Sequence, residues 1–331
     1  MSARHGAQRL ACLIFEFHEE SAMWDFDLMA AIRAIEKSMA YVLYRLGLCL
    51  GVAFGYLMAT LGGAGTLVGF GSLEKDAISL GPIGAAIGFI AFAFLMTRIK
   101  TLWLRIVDLP QLGILADQWD GRILPTARAL LAYAKERLNG AYSSTSQLNE
   151  LDLSVREVLT DLVRLHPCPK LNAGGDFLAQ ISLQLTARIS RLNHRTLLAW
   201  HFMSGHQDPW QSAAEALEVY DRHFSAMLRN RAILTAFTWL GFLTAVPLLD
   251  KGIEILVSDI PIHMGPWPLI FAGVFSWAIK AAFFDAIAEA AMLDSFFPIA
   301  RREAGSLSAS SLSQNSPAYA ALQTKIGSFP S

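Results

Sequence analysis

The chain has 331 residues, 53% of them hydrophobic and only 17% charged, with a mean hydropathy of +0.38 and a formal net charge of −1. Soluble domains carry about 25% charged residues, and the deficit here is local: residues 46–73 and 77–97 contain no Asp, Glu, Lys or Arg, whereas 98–231 hold 16 of the 27 Lys and Arg. That pattern excludes an ordinary water-soluble enzyme, the near-neutral total excludes nucleic-acid binding driven by net charge, and the scattered Cys12, Cys49 and Cys168 make no disulfide framework.

The N-terminal segment, 1–38, begins with Arg4 and Arg9 before a short apolar run, Leu10 to Phe15, which Glu16, Glu19 and Glu20 interrupt. That run is too short for a secretory signal and lacks a small-residue cleavage site; Met23 is an alternative start. From Trp24 the apolar positions Leu28, Ile32, Ile35, Met39 and Val42 recur at three- and four-residue spacing, which predicts an amphipathic helix lying at the membrane interface.

A bilayer core needs about 20 mainly apolar residues per spanning helix, because nothing in lipid satisfies a bare backbone. Four windows qualify: Met39–Leu61, Gly81–Thr97, Ala232–Leu249 and Trp267–Phe284. The expected fold is an all-α polytopic membrane protein with a transmembrane hairpin over 39–99, a helical cytoplasmic domain over 100–231, and a second hairpin over 232–300. The serine-rich segment 301–331 is expected to be a flexible tail, with six serines in 304–317. Lys and Arg flank the inner ends: Arg98, Lys100 and Arg105 after span two, Arg222, Arg229 and Arg231 before span three, Arg301 and Arg302 after span four. Both termini and the middle domain are therefore expected in the cytoplasm, and the loops near Lys75 and Lys251 outside.

Within 100–231, helices are predicted over Leu124–Leu138, over a stripe of Leu148, Leu151, Val155, Val158, Leu162 and Leu165, and from Asp176 to Ser204, where Gly205 ends the run. Asp208-Pro209 is an N-cap signal for a further helix. With no Gly or Pro from Trp210 to Leu240, that helix is expected to run unbroken into span three as a rod of about 55 Å. Pro247 is expected to kink or end span three.

Two groups of residues stand out inside the spans. Gly47, Gly51, Gly55, Ala59 and Gly63 recur every four residues, and span two carries Gly81, Gly84 and Gly88. Such glycine-zipper faces let backbones approach closely in lipid. They point either to a tight hairpin of spans one and two or to packing between copies in a homo-oligomer, and Gly62–Gly71 could instead re-enter the membrane. Lys280, Asp285 and Glu289 near the end of span four would suggest an ion path at mid-bilayer depth. At the cytoplasmic end, the structural reading has Lys280 snorkelling while Asp285, Glu289 and Asp294 sit in water, and Arg45 is treated alike.

No phosphate loop, HExxH, GxSxG or paired CxxC occurs. His194, His201 and His206 lack an Asp, Glu or Cys at ligand spacing and read as ordinary helix histidines rather than a metal site. No catalytic, metal or cofactor-binding residue is assigned. The leading expectation is a non-enzymatic multi-pass inner-membrane component that contacts lipid and other membrane or cytoplasmic proteins through its helical domain. The alternative is a channel or transporter for a small solute or ion using the glycine-rich spans. A lipid-modifying enzyme, using Asp285 or Glu289, comes third.

Overall fold

The computed structural model describes residues 24–71, 80–126, 128–142, 144–166, 176–257, 267–303 and 311–327, and all regular structure among them is helical. The expectations for Leu10–Phe15, for most of the loops near Lys75 and Asp259 and for residues 304–310 concern segments outside the described residues.

The helix predicted over Leu124–Leu138 starts at Arg128, and the single helix predicted from Asp176 to Ser204 is broken at Leu192–Asn193 and at Trp200. Helix α1 spans Leu28–Lys37 and is capped by Asp27, whose Oδ1 accepts from the amides of Met29 and Ala30 at 2.8 and 3.0 Å. Ser38, at φ −102° and ψ 19°, separates it from α2, Met39–Gly71. Helix α3 covers Gly81–Trp103 and passes through a π turn, Leu104–Asp108, into α4, Leu109–Trp119. The middle of the chain forms α5 Arg128–Ala141, α6 Thr145–Leu165, α7 Asp176–Arg191, α8 His194–Ala199, α9 His201–Ser204 and α10 Pro209–Arg222. Then come α11 Phe224–Val257, α12 Trp267–Ile279, a second π turn Lys280–Phe284 and α13 Asp285–Glu303. Two short helices, α14 Ser311–Asn315 and α15 Pro317–Gln323, complete the described chain.

Four stretches are long and apolar enough to cross a membrane: Met39–Phe70, Gly81–Ile99, Phe224–Leu256 and Pro268–Glu303. Helix α2 packs on α3 and on α12, and α12 packs on α11. Their outward faces carry exposed large apolar residues, among them Phe54, Ile90, Leu243 and Leu269, as lipid-facing helices require.

The two halves repeat one order of elements: short amphipathic helix, one-residue turn, long helix, second long helix, π turn, domain helix. His223, the turn between α10 and α11, has φ −108° and ψ 21°, close to the values at Ser38. The intervals from Gly71 to Gly81 and from Val257 to Trp267 are equal.

One apolar core joins the domain to the inner ends of the spans. It takes Ala31 and Ile35 from α1, Leu151, Val155 and Leu162 from α6, Leu217 and Tyr220 from α10, and Val42 and Leu234 from the long helices. Helix α13 runs through its centre, burying Ala286, Ala290, Ala291, Met292, Leu293, Phe296, Phe297 and Ala300. A helix apolar around most of its circumference is one that other helices surround. Trp200 locks against it, with ring centroids 5.9 Å from Phe297 and 6.4 Å from Phe296, and its indole N–H donates to Glu215. The packing places the buried residues of 286–300 in one core with those of the helices of 100–231.

Several expectations are corrected. Helix α1 packs on α13 and α4, burying Ala31, Ala34 and Ile35, while Leu28 and Ile32 of its apolar stripe stay half-buried. The helix expected to be unbroken from Pro209 breaks at His223, where no Gly or Pro warns of it; Glu303 at the end of α13 holds the turn, accepting a hydrogen bond from His223 at 2.7 Å and pairing with Arg222 at 3.4 Å. Of the kink or end expected at Pro247, the end is overturned: the helix continues to Val257. Residues Gly62–Gly71 continue α2 and do not form a re-entrant turn. The tail is not wholly flexible: Leu312, Tyr319 and Leu322 are fully buried in the main core, because an apolar side chain every three or four residues compensates for the polar composition around it.

Candidate functional site: a buried charge chain at the span–domain junction

The first π turn is a consequence of Pro110. Proline has no amide hydrogen and its ring excludes the carbonyl four residues back, that of Ile106. Tyr41 of α2 supplies the missing donor: its hydroxyl lies 2.9 Å from the Ile106 oxygen and 3.1 Å from that of Val107. The register shift leaves Asp108, 3% exposed, directed into the junction beneath the spans, a position typical of π turns at special sites.

Asp108 is the middle of a chain of opposite charges. Arg45 of α2, 4% exposed, hydrogen-bonds through Nη1 to Gln111 Oε1 and places Nη2 3.4 Å from Asp108 Oδ1. Arg195 of α8 bridges Asp108 Oδ2 at 2.9 Å and Glu289 Oε1 at 3.3 Å. Arg231 of α11 meets the same Glu289 oxygen at 3.1 Å. The order Gln111, Arg45, Asp108, Arg195, Glu289, Arg231 therefore runs from one half of the molecule to the other. Span one supplies Arg45, the continuation of span two Asp108, the start of span three Arg231 and the continuation of span four Glu289; the domain supplies Arg195 and Gln111.

The chemistry of this arrangement is that of a clamp. Burial would weaken the hold of Arg195 on its proton, but Asp108 and Glu289 outweigh it and keep the guanidinium above its ordinary pKa. The side chains fill the space between them and leave no void that would admit a water molecule. Three guanidinium groups face two carboxylates, a net charge of +1. Behind Arg195, His194 Nδ1 donates to the Arg191 carbonyl at 2.7 Å, and its Nε2 lies 2.7 Å from Arg156 Nη2, itself paired with Asp152 at 2.8 Å. Since an arginine N–H only donates and a carbonyl only accepts, Nε2 accepts and Nδ1 donates, so the ring is neutral. Burial, then Arg156, Arg195 and Arg231, push its pKa well below the ordinary value.

Comparison with protein-family models, with curated proteins and with solved structures finds no match.

The structure separates the charges singled out in the sequence. Glu289 does not sit in water; it is 3% exposed and belongs to the clamp. Asp294 accepts from the Trp119 indole at 3.1 Å and from the Asp27 amide at 2.8 Å. Lys280 does not snorkel alone: its Nζ is 2.7 Å from Asp285 Oδ1 and 5.4 Å from the Trp239 ring centroid. Five residues apart, the pair shares a face because the second π turn lies between them. Arg45, read as an interfacial side chain, is instead buried in the clamp. Arg195, Arg231, Asp108 and Gln111 carried no sequence signal as a group.

The glycine positions divide in two. A Cβ at Gly63 would overlap the Gly84 carbonyl oxygen, one at Gly84 the Gly63 oxygen, and one at Gly88 the Ala59 oxygen. Gly55 faces the Phe92 ring, and a Cβ at Gly81 would touch Val68 at 3.4 Å. This half of the face makes the α2–α3 hairpin. Around Gly47 and Gly51, by contrast, a Cβ would meet nothing within 4 Å. His201 and His194 have separate partners: His201 Nδ1 lies 2.8 Å from Ser212 Oγ and its Nε2 3.1 Å from the Ala141 carbonyl.

Proposed function

We propose that this chain is a multi-pass inner-membrane structural and interaction protein, a component of a larger membrane-associated assembly, with its helical domain in the cytoplasm as the partner-binding element. The observation that carries this reading is the clamp. One buried run of ion pairs takes a charge from each of the four spans, or its direct continuation, and ties them to Arg195 of the domain. Spans so joined hold the domain in fixed register to the bilayer, which suits a platform on which other proteins assemble. The basic residues at the inner ends of the spans support placing both termini and the domain on the cytoplasmic side.

Purification in mild detergent tests the proposal. A reproducible set of co-purifying proteins, lost when the domain surface is altered but the spans are intact, is the expected result. A monodisperse particle without partners that conducts or transports after reconstitution into vesicles would replace it with the channel or transporter reading.

A further inference from the structure

The C-terminal segment lies across α6 and α10, and four of its polar contacts with the domain share one sense. Ser316 Oγ donates to Asp161 Oδ2 at 2.9 Å, the Tyr319 hydroxyl to Glu218, Lys325 Nζ to Glu150 at 2.7 Å and the Gly327 amide to Asp208 Oδ2 at 2.6 Å. Donors sit on the segment and carboxylates on the domain. Between them Tyr319 and Leu322 are fully buried, and Lys325 stands 4.9 Å from the Trp210 ring centroid. Residues 304–331 contain no Asp or Glu and one Lys, so segment and groove are complementary in charge. Helices of five and seven residues do not hold in water by themselves, so their order comes from the groove. Seven residues, Ala304 to Ser310, separate them in the chain from α13.

Resting on the reading of the domain as a partner-binding element, we propose that residues 311–327 are a releasable plug in a helix-binding groove between α6 and α10. The partner admitted in its place is an amphipathic helix of like chemistry, apolar and aromatic on the buried face, with hydroxyl and basic donors at the rim and no carboxylate. Such a cis segment competes with the partner at the high local concentration of a tethered ligand.

The test uses the full chain in detergent, with a protease site substituted into 304–310 and cut after folding, and a fluorescent peptide of residues 311–327 as the probe. The cut chain should bind the probe saturably, and the uncut chain at least about tenfold more weakly, the tethered segment being a competitor. Tyr319→Ala with Lys325→Glu in the probe, or Asp161→Asn with Glu218→Gln in the groove, should each weaken binding by about tenfold or more. Retention of the cut segment through prolonged exposure to excess probe, unfolding of the chain as the segment leaves, or binding indifferent to these changes would each overturn the plug. Partners that co-purify with equal yield from chains with and without the groove changes would leave the assembly role standing and remove this groove from it.

Discussion

At the scale of single residues, Glu289 holds two arginines and has the most to lose. Removing one partner of a buried pair leaves an uncompensated charge, at a cost of about 3–5 kcal/mol. We expect Glu289→Gln to lower the thermal unfolding midpoint sharply, and Glu289→Met with Arg231→Leu to recover much of the loss. A single variant as stable as the parent would show that the clamp is incidental. Asp285→Asn, at a partly exposed pair, should cost far less. His201 gives the protein a dependence on pH. Its burial pushes the imidazole down to about 4 from an ordinary 6.5, with the Ala141 carbonyl and Asp208 opposing and Arg137 and His206 assisting. The unfolded chain takes up this proton first as pH falls, so the stability held above about 6.5 is lost on the way to 4, at most about 3 kcal/mol. His201→Asn should be less stable at pH 7 and show a shallower fall in unfolding midpoint between pH 7 and 5; an unchanged slope would assign the titration elsewhere.

Elements were legible in the sequence wherever a local signal suffices. Asp208 caps the helix it was expected to start, Gly205 adopts φ 74° at the end of α9, and the Leu148–Leu165 stripe is buried except at its last member, Leu165, which is exposed. The turn at His223 was not legible, because what holds it is Glu303, eighty residues away in the chain. The π turn after span two was not read from the sequence: Pro110 stands at it, but the donor to the freed carbonyl, Tyr41, is tertiary. Tyr41→Phe should cost about 1–2 kcal/mol by leaving the Ile106 oxygen unmet, a loss read from unfolding midpoints and absent if that carbonyl finds another donor. The glycines argue similarly. Gly63→Leu or Gly88→Leu would drive a side chain into facing backbone and should destabilise the hairpin by about 1–3 kcal/mol or more, whereas Gly47→Leu and Gly51→Leu should leave the folded monomer intact. Dissociation of an oligomer by the latter pair would assign that open stretch to contact between copies; equal harm from all four would refute the division.

For the whole molecule, hydropathy alone located four helices long and apolar enough to cross a membrane, since a bilayer admits an apolar backbone only when its hydrogen bonds are internal. It could not say that Arg45, Asp108, Arg195, Arg231 and Glu289 converge, because each is one charge at the edge of an apolar run and nothing in their spacing encodes a meeting. Nor did it reveal the repeated order of elements, visible in the matched turns at Ser38 and His223. Reporter fusions at Gly140 and after Arg302 should both behave as cytoplasmic, and an external signal from either would overturn the proposed topology.

The order of charges along the chain also bears on biogenesis. Arg45 meets its carboxylate, Asp108, as soon as the first two spans are made, but Arg231 has no counter-charge in the clamp until Glu289 emerges, after the fourth span. On the proposed topology Arg231 is therefore without its partner in the clamp while the second hairpin is made, and closure waits for almost the last helix to be synthesised. Nascent chains arrested before residue 289 should remain sensitive to protease at the junction, and chains long enough to expose α13 from the ribosome should become resistant.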